Sequence, residues 1–209
     1  MQNTKTLLLT LLFISLLTAC IKEVKKTTDN NVQYNLIEPG NGIYAIIEKK
    51  VTEEKLKNNF YEKIYFDKTL PIRIERYDKS SKLTDKLSVA AITKFEYNSD
   101  KKVKRVKYFD SQNKKAVDEE FGYHSIEYIY DELGRVRMEI YRDADSRFLE
   151  VPRDDSGNIA KVDFLSPVLT YEYVGDKLKI KALDQNFNLL KEVVGDKPCV
   201  PFIDCGENE

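Results

Sequence analysis

Few side chains in this chain can do covalent or acid–base chemistry at neutral pH: among 209 residues there are one histidine, three cysteines and no tryptophan. His124 stands in Phe121-Gly-Tyr-His-Ser125, just ahead of a run with strand character. A general base there needs a nucleophile and an orienting carboxylate, and Ser125, its direct neighbour, would point to the opposite face of a strand. The residue reads as a solvated loop histidine. Asp143 and Asp145, in Arg142-Asp-Ala-Asp-Ser-Arg-Phe148, imitate the opening of a calcium loop. The sixth position of that loop must turn on glycine, and here it is Phe148, so the match fails. Asp154-Asp-Ser-Gly-Asn158 is explained by turn chemistry alone. With eight glycines in the chain, no glycine-rich phosphate cradle can be drawn. No catalytic constellation, metal site or cofactor is expected. Lys and Arg number 34 against 35 Asp and Glu, a net charge of −1. That balance lacks the cationic excess a nucleic-acid partner requires.

The remaining chemistry belongs to cysteine. Residues 1–20 read MQNTKTLLLTLLFISLLTAC. Lys5 precedes an apolar run from Leu7 to Leu17, which is shorter than the roughly 20 residues a bilayer span needs and fits the apolar region of an export leader. The run ends in Leu17-Thr18-Ala19-Cys20, which resembles the lipobox of bacterial lipoprotein precursors. The resemblance implies cleavage before Cys20, acylation of its thiol and amino group, and attachment to membrane lipid through that residue. Ile21, rather than Asp, follows it, which by the sorting rule of enterobacterial lipoproteins implies the outer membrane. Each buried CH₂ contributes about 0.8 kcal/mol, so two or three acyl chains hold a protein on a membrane where one does not. With Cys20 acylated, Cys199 and Cys205 remain, in Cys199-Val-Pro-Phe-Ile-Asp-Cys205. They lack the CxxC spacing or histidine partners of a redox or metal pair. In an oxidising compartment they read as a structural disulfide whose short loop removes about 2 kcal/mol of chain entropy.

The elements that would carry these residues are strands. Residues 20–33 are polar and read as a flexible tether after the leader at 1–19. Residues 34–60 read as an N-terminal strand, Gly42 to Ile47, and a short helix over Thr52 to Asn59 capped by Thr52. From 61 to 192 one hairpin recurs, and 193–209 is the disulfide-closed tail. The clearest copy spans 125–148. Tyr128 and Tyr130 alternate with polar neighbours, Asp131-Glu-Leu-Gly134 turns the chain, and Val136, Met138 and Ile140 alternate with Arg137 and Glu139. The turn is expected to be type I with Gly134 in the left-handed position of a bulge. An aromatic, an apolar residue six later and another aromatic eleven later recur at Phe66/Ile72/Tyr77, Tyr97/Val103/Tyr108 and Tyr130/Val136/Tyr141. Weaker copies start at Arg153 (Ile159, Phe164) and, one residue shorter, at Tyr173 (Leu178, Leu183).

The motif Tyr128-x-Tyr130-Asp131-x-x-Gly134-Arg135-Val136 resembles the YD, or RHS-type, hairpin repeats of bacterial surface proteins, over residues 61–190. The resemblance implies architecture only, because five copies cannot form the shell that large members build. The expected fold is all-β with minor α: an antiparallel meander of about five repeated hairpins with one short N-terminal helix. In Lys177-Leu-Lys-Ile-Lys-Ala182, Leu178, Ile180 and Ala182 face one side and the lysines the other, so the sheet should have one wet and one dry face. The tyrosines read as a half-buried sheet face rather than a ligand platform. The functional expectation is a membrane-anchored, non-enzymatic binding module, surface-exposed and adhesin-like, meeting a protein or glycan through the rims 79–91, 110–124 and 142–156. A second reading keeps it in the periplasm as an accessory or inhibitor lipoprotein bound to an envelope partner.

Overall fold

A computed structural model describes residues 31–40, 44–85, 90–118, 121–159, 166–175 and 177–195. The chain divides after Asn30, and Asn31–Glu209 form one compact unit. Its strands are β1 (Val32–Pro39), β2 (Tyr44–Glu48), β3 (Tyr61–Asp67), β4 (Leu70–Tyr77), β5 (Ile92–Tyr97), β6 (Val103–Phe109), β7 (Ser125–Tyr130), β8 (Val136–Arg142), β9 (Val168–Val174), β10 (Lys177–Leu183) and β11 (Leu189–Gly195). All pair antiparallel in a single sheet ordered β11-β10-β9-β8-β7-β6-β5-β4-β3-β1-β2. From β3 to β11 every strand lies beside its chain neighbour, the meander that hairpin repetition demands. The all-β meander is therefore the fold.

The repeat is stricter in space than in sequence. Ile64, Phe95, Tyr128 and Tyr171 occupy one position in β3, β5, β7 and β9, and all four belong to the same buried cluster. Opposite them stand Ile74, Val106, Glu139 and Ile180. Between copies runs a tyrosine strut. Tyr97 donates its hydroxyl to the Pro71 carbonyl, Tyr130 to that of Val103 at 2.8 Å, and Tyr173 to that of Val136 at 2.8 Å. Each ring packs on the core while its hydroxyl satisfies a backbone acceptor one hairpin back, so the tyrosines form a half-buried face. The chain returns between hairpins are equally regular. The amides of Arg76, Tyr108 and Tyr141 donate to the carbonyls of Ala91, His124 and Pro167, and their carbonyls accept from Thr84, Ala116 and Leu149.

One turn chemistry closes both ends of the hairpins. It recurs at Asp78–Lys82, Asn98–Lys102, Asp110–Lys114, Asp131–Arg135, Asp143–Arg147, Asp154–Asn158 and Asp184–Asn188. In each, the first residue's amide donates to the fifth carbonyl and the fourth amide donates back to the first carbonyl. The leading Asp or Asn side chain accepts from the third and fifth amides, as in Asp143 Oδ1 with Asp145 and Arg147, both at 2.9 Å. The fourth residue is left-handed throughout: Gly134 at φ 77° as expected, but also Ser81 at 58°, Lys101 at 61° and Phe187 at 66°. A non-glycine residue there costs roughly 1–2 kcal/mol. The two amides captured by the Asx carbonyl or carboxylate offset that strain.

The structure departs from the sequence reading in several places. The expected helix over Thr52–Asn59 is a 3-10 turn of four residues, Glu53–Leu56, and Thr52 makes no side-chain cap bond. A single turn has too few internal bonds to extend as an α-helix without an apolar face to dock. The first strand is β1, which begins at Val32, ahead of the expected strand at Gly42, of which Tyr44 to Ile47 lie in β2. Ile72 is 41 % exposed, whereas Val103 and Val136 are 1 % exposed. Register pairs Phe66 with Pro71 and Tyr65 with Arg73, so Ile72 is the extra residue of a bulge and Pro71 is the true counterpart of Val103 and Val136. The same bulge at Arg137 reverses the expected faces of β8, and Glu139, not Met138, opposes Tyr128. In the copy at Arg153 the described residues form one bridge, between Arg153 and Ile159, with Ile159 39 % exposed and Phe164 outside the described residues. In β10, which follows a tight turn at Gly175, the alternation holds: Leu178 is fully buried, and Lys179 and Lys181 pair with Glu192 and Glu172.

Tyr130→Phe isolates the strut. Phe66 already fills the equivalent place without a hydroxyl, so the ring itself is tolerated. Denaturant unfolding should show a loss of about 1 kcal/mol with an unchanged m-value, because one hydrogen bond to a half-buried carbonyl disappears and no cavity forms.

Candidate functional site

One recess in the described sheet is built by β1, β3, β4 and the 3-10 turn. Its volume is about 410 Å³, and Tyr34, Tyr61, Tyr77, Leu56, Lys63 and Glu53 line it. The cross-strand pairs Leu36–Tyr61 and Tyr61–Tyr77 set the aromatic row. The Tyr61 and Tyr77 rings stack at 4.8 Å with a 10° interplanar angle, and Tyr34 meets Tyr61 edge-on at 6.3 Å. Leu36 and Val51 form the floor beneath them. Carboxylates hold the hydroxyls: Tyr34 donates to Glu53 at 3.2 Å, and Tyr77 and Tyr65 both donate to Glu75. Burial, then Glu53, pushes Tyr34 up to about 12. Lys63 Nζ lies 4.9 Å from the Tyr65 ring centroid and 5.8 Å from that of Tyr34. The recess thus offers ring faces beside a cation, a surface for stacking and charge contact.

Two buried polar clusters lie on the core face. Glu62 is fully buried and accepts from Asn35 Nδ2 at 2.7 Å and from the Tyr44 hydroxyl at 3.1 Å. Arg76, 5 % exposed, donates to that same Tyr44 oxygen at 3.1 Å, to Thr93 Oγ1 at 2.9 Å and to the Ala90 carbonyl at 3.0 Å. The Tyr44 hydroxyl therefore bridges a carboxylate and a guanidinium, and the network ties β1, β2, β3, β4 and β5 together. Further along the sheet, Glu139 is 7 % exposed and stands where Ile74 and Val106 stand in earlier copies. Its carboxylate accepts from Tyr141 at 2.8 Å and also from Tyr171. Burial raises its pKa, while the two hydroxyls pull in the other direction.

His124 is not solvated. It is 3 % exposed, its Nδ1 lies 2.9 Å from the Ala116 carbonyl, and its ring meets Phe109 edge-on at 5.4 Å. Burial lowers its pKa, which favours the neutral ring. The correction follows from the repeat: His124 fills the position of Ala91 and Pro167, where the returning chain is pinned to the sheet and the rim folds over it. Asp143 is the leading residue of its turn, with Arg147 on its second oxygen at 3.2 Å, and Asp154 plays the same part in its own turn. Among the described residues no group of three or more His, Cys, Asp or Glu side chains gathers as metal ligands. Cys20, Cys199 and Cys205 lie outside the described residues.

Glu62, Arg76 and Glu139 escaped the sequence reading because period-two alternation assigns polar residues to the wet face. The available signal was the repeat itself: aligned on the bulge, a glutamate falls at a position occupied elsewhere by isoleucine and valine. No family model, curated protein or solved structure matches the chain.

Glu139 gives a pH prediction with a definite sign. Its folded pKa lies above the unfolded value, so the folded state binds the proton more tightly, and stability falls as pH rises from about 4.5 toward the folded pKa. Glu139→Gln keeps an acceptor for Tyr141 and Tyr171 but cannot ionise. Thermal unfolding from pH 4.5 to 8 should show the variant gaining on the wild type as pH rises, and parallel curves would contradict the raised pKa.

Proposed function

We propose that this protein is a lipid-anchored envelope lipoprotein acting as a non-enzymatic binding module at the outer membrane. The observation that carries the reading is Leu17-Thr18-Ala19-Cys20 at the end of a short apolar run, twelve residues ahead of Val32, the first residue of the sheet. Acylated Cys20 holds the chain on the membrane, the segment up to Asn31 is the tether, and Cys199 and Cys205 form a disulfide in the oxidising space beyond. The sheet supports a binding role. Its only histidine serves a backbone carbonyl, and its buried carboxylates serve amide, tyrosine and guanidinium groups that hold strands together. The rims after the Asx turns are the surfaces that meet a protein or glycan, while the recess of Tyr34, Tyr61 and Tyr77 opens on the same face as Lys63 and Arg73. The rims at 79–91, 110–124 and 142–156 open with the same five-residue turn, so recognition falls on the residues after it.

Mass spectrometry of native material should find acyl chains on Cys20 and no residues 1–19. Detergent phase partitioning should move the protein to the detergent phase, and Cys20→Ser should return it to the aqueous phase. Protease added to intact cells then separates an exterior module, which is cleaved, from a periplasmic one, which is protected. An unmodified Cys20 thiol would overturn the anchored reading.

A further inference from the structure

Register places a line of cations straight across the sheet. Tyr65, Arg73, Lys94, Lys107, Ser125 and Arg142 are successive cross-strand partners from β3 to β8. Neighbouring strands lie about 4.8 Å apart, so Arg73, Lys94 and Lys107 stand side by side on one face. Like charges directly opposite one another destabilise a sheet, so the row needs anions to offset it. Along β4 to β8 the same face holds Arg73, Lys94, Arg105, Lys107 and Arg142 against Glu75, Glu96 and Glu127. Those carboxylates are engaged: Glu75 with Arg73, Glu96 with Lys107, and Glu127 with Arg105 and Arg142 at 3.2 and 2.9 Å. Lys94 differs. Among the described residues its contacts are Asn113 Oδ1 at 2.8 Å and the Phe109 ring at 4.0 Å from the centroid. Its pKa is lowered by burial first and then by Arg73 and Lys107. The row is half-buried, with the Arg73 side chain 34 % and that of Lys107 30 % exposed.

Where the chain enters the sheet singles out the counter-anion. Val32, the first residue of β1, is the cross-strand partner of Tyr65, so the segment from Cys20 joins the sheet at the end of this same row. Twelve residues reach about 40 Å at most, and that segment carries Lys22, Lys25 and Lys26. The row lies outside the recesses at Tyr34–Tyr77 and Asp143–Glu150.

We propose that the Arg73–Lys94–Lys107 row is a membrane-docking face that lays the sheet against anionic phospholipid headgroups, with Lys94 taking a phosphate between two cations. Tyr65 and Phe109 flank the row as aromatic contacts at the interfacial level. The proposal relies on the anchored reading for where the membrane lies, and its test does not use the anchor.

The test mixes the chain from position 20, carrying Cys20→Ser and hence no acyl group, with sedimenting vesicles. One set combines phosphatidylglycerol with phosphatidylcholine, and the other is phosphatidylcholine alone. Binding is expected to the anionic vesicles only and to weaken as ionic strength rises. Lys94→Gln should lower the affinity about fivefold and Lys94→Glu further, since each surface cation contributes about that factor, with thermal unfolding confirming that both variants are folded. Equal binding to both vesicles, binding that ignores Lys94 in a folded variant, or binding to soluble polyglutamate without binding to anionic vesicles would overturn the proposal. The state of Cys20 in native material decides the anchored reading separately.

Discussion

The bulge at Ile72, Lys104 and Arg137 decides which residues this sheet buries. In each of β4, β6 and β8 it inserts one unpaired residue directly after the position that packs under the preceding aromatic. Side chains alternate with a period of two, so one extra residue exchanges the faces of everything that follows. Val106 and Glu139 point into the core for this reason, and Arg73 and Lys107 point out. A single-layer sheet has no second sheet to correct a slipped register, so the offset must recur identically in successive copies. It does in three successive hairpins, and Ile74, Val106 and Glu139, which face Ile64, Phe95 and Tyr128 across the pairs, are its direct product.

The tyrosine struts and the Asx turns hold that register from two directions. A turn fixes how far one strand overlaps the next within a hairpin. A strut fixes one hairpin against the previous one, because the Tyr130 hydroxyl reaches the Val103 carbonyl only in one register. Polar groups near a sheet's core normally weaken it unless every donor and acceptor is met. Here the burial of Glu62 is supported by Asn35 and Tyr44, and Arg76 reaches the same hydroxyl. The network sits where β1 and β2 join the repeats, and its donors and acceptors come from strands on both sides of that junction. It gives the non-repeating edge a specific partner that hydrophobic contact alone would not specify.

Much of the fold was legible because repetition amplifies a weak signal. Asp131-x-x-Gly134 announced its turn, and the aromatic at Phe66, Tyr97, Tyr130 and Tyr173 announced the end of a first arm. Less was legible wherever a residue took a conformation its type disfavours. Lys101 and Phe187 adopt left-handed backbone without glycine, so Asn98–Lys102 and Asp184–Asn188 did not look like copies of Asp131–Arg135. The bulges have no sequence marker of their own, since Ile72, Lys104 and Arg137 share only exposure. The candidate surface was the least legible part. Tyr34, Tyr61 and Tyr77 come from β1, β3 and β4, and Arg73, Lys94 and Lys107 from β4, β5 and β6, so only register brings either set together. His124 was misread for a related reason: a loop histidine is solvated unless the rim folds back, and the returning chain that pins it is visible only in three dimensions.

An open sheet leaves two edges, and here they are β2 and β11. Both expose apolar side chains: Ile47 is 59 % and Val194 65 % exposed. Such edges pair with other chains unless charge or shortness prevents it. β2 is five residues long and ends at Glu48, which pairs with Lys55 of the 3-10 turn, so its last residue is held by its own chain. β11 carries Lys191 and Glu192, and Glu192 is drawn inward to Lys179 of β10. Anchorage of the kind proposed would sharpen the need for these devices, because molecules confined to a surface meet edge to edge far more often than molecules in solution. A face held toward the headgroups by its cations would turn both edges parallel to the membrane, where neighbouring copies approach most readily. The brevity of β2 and the ion pairs at Glu48 and Glu192 are the features of this sheet that oppose such edge-to-edge pairing.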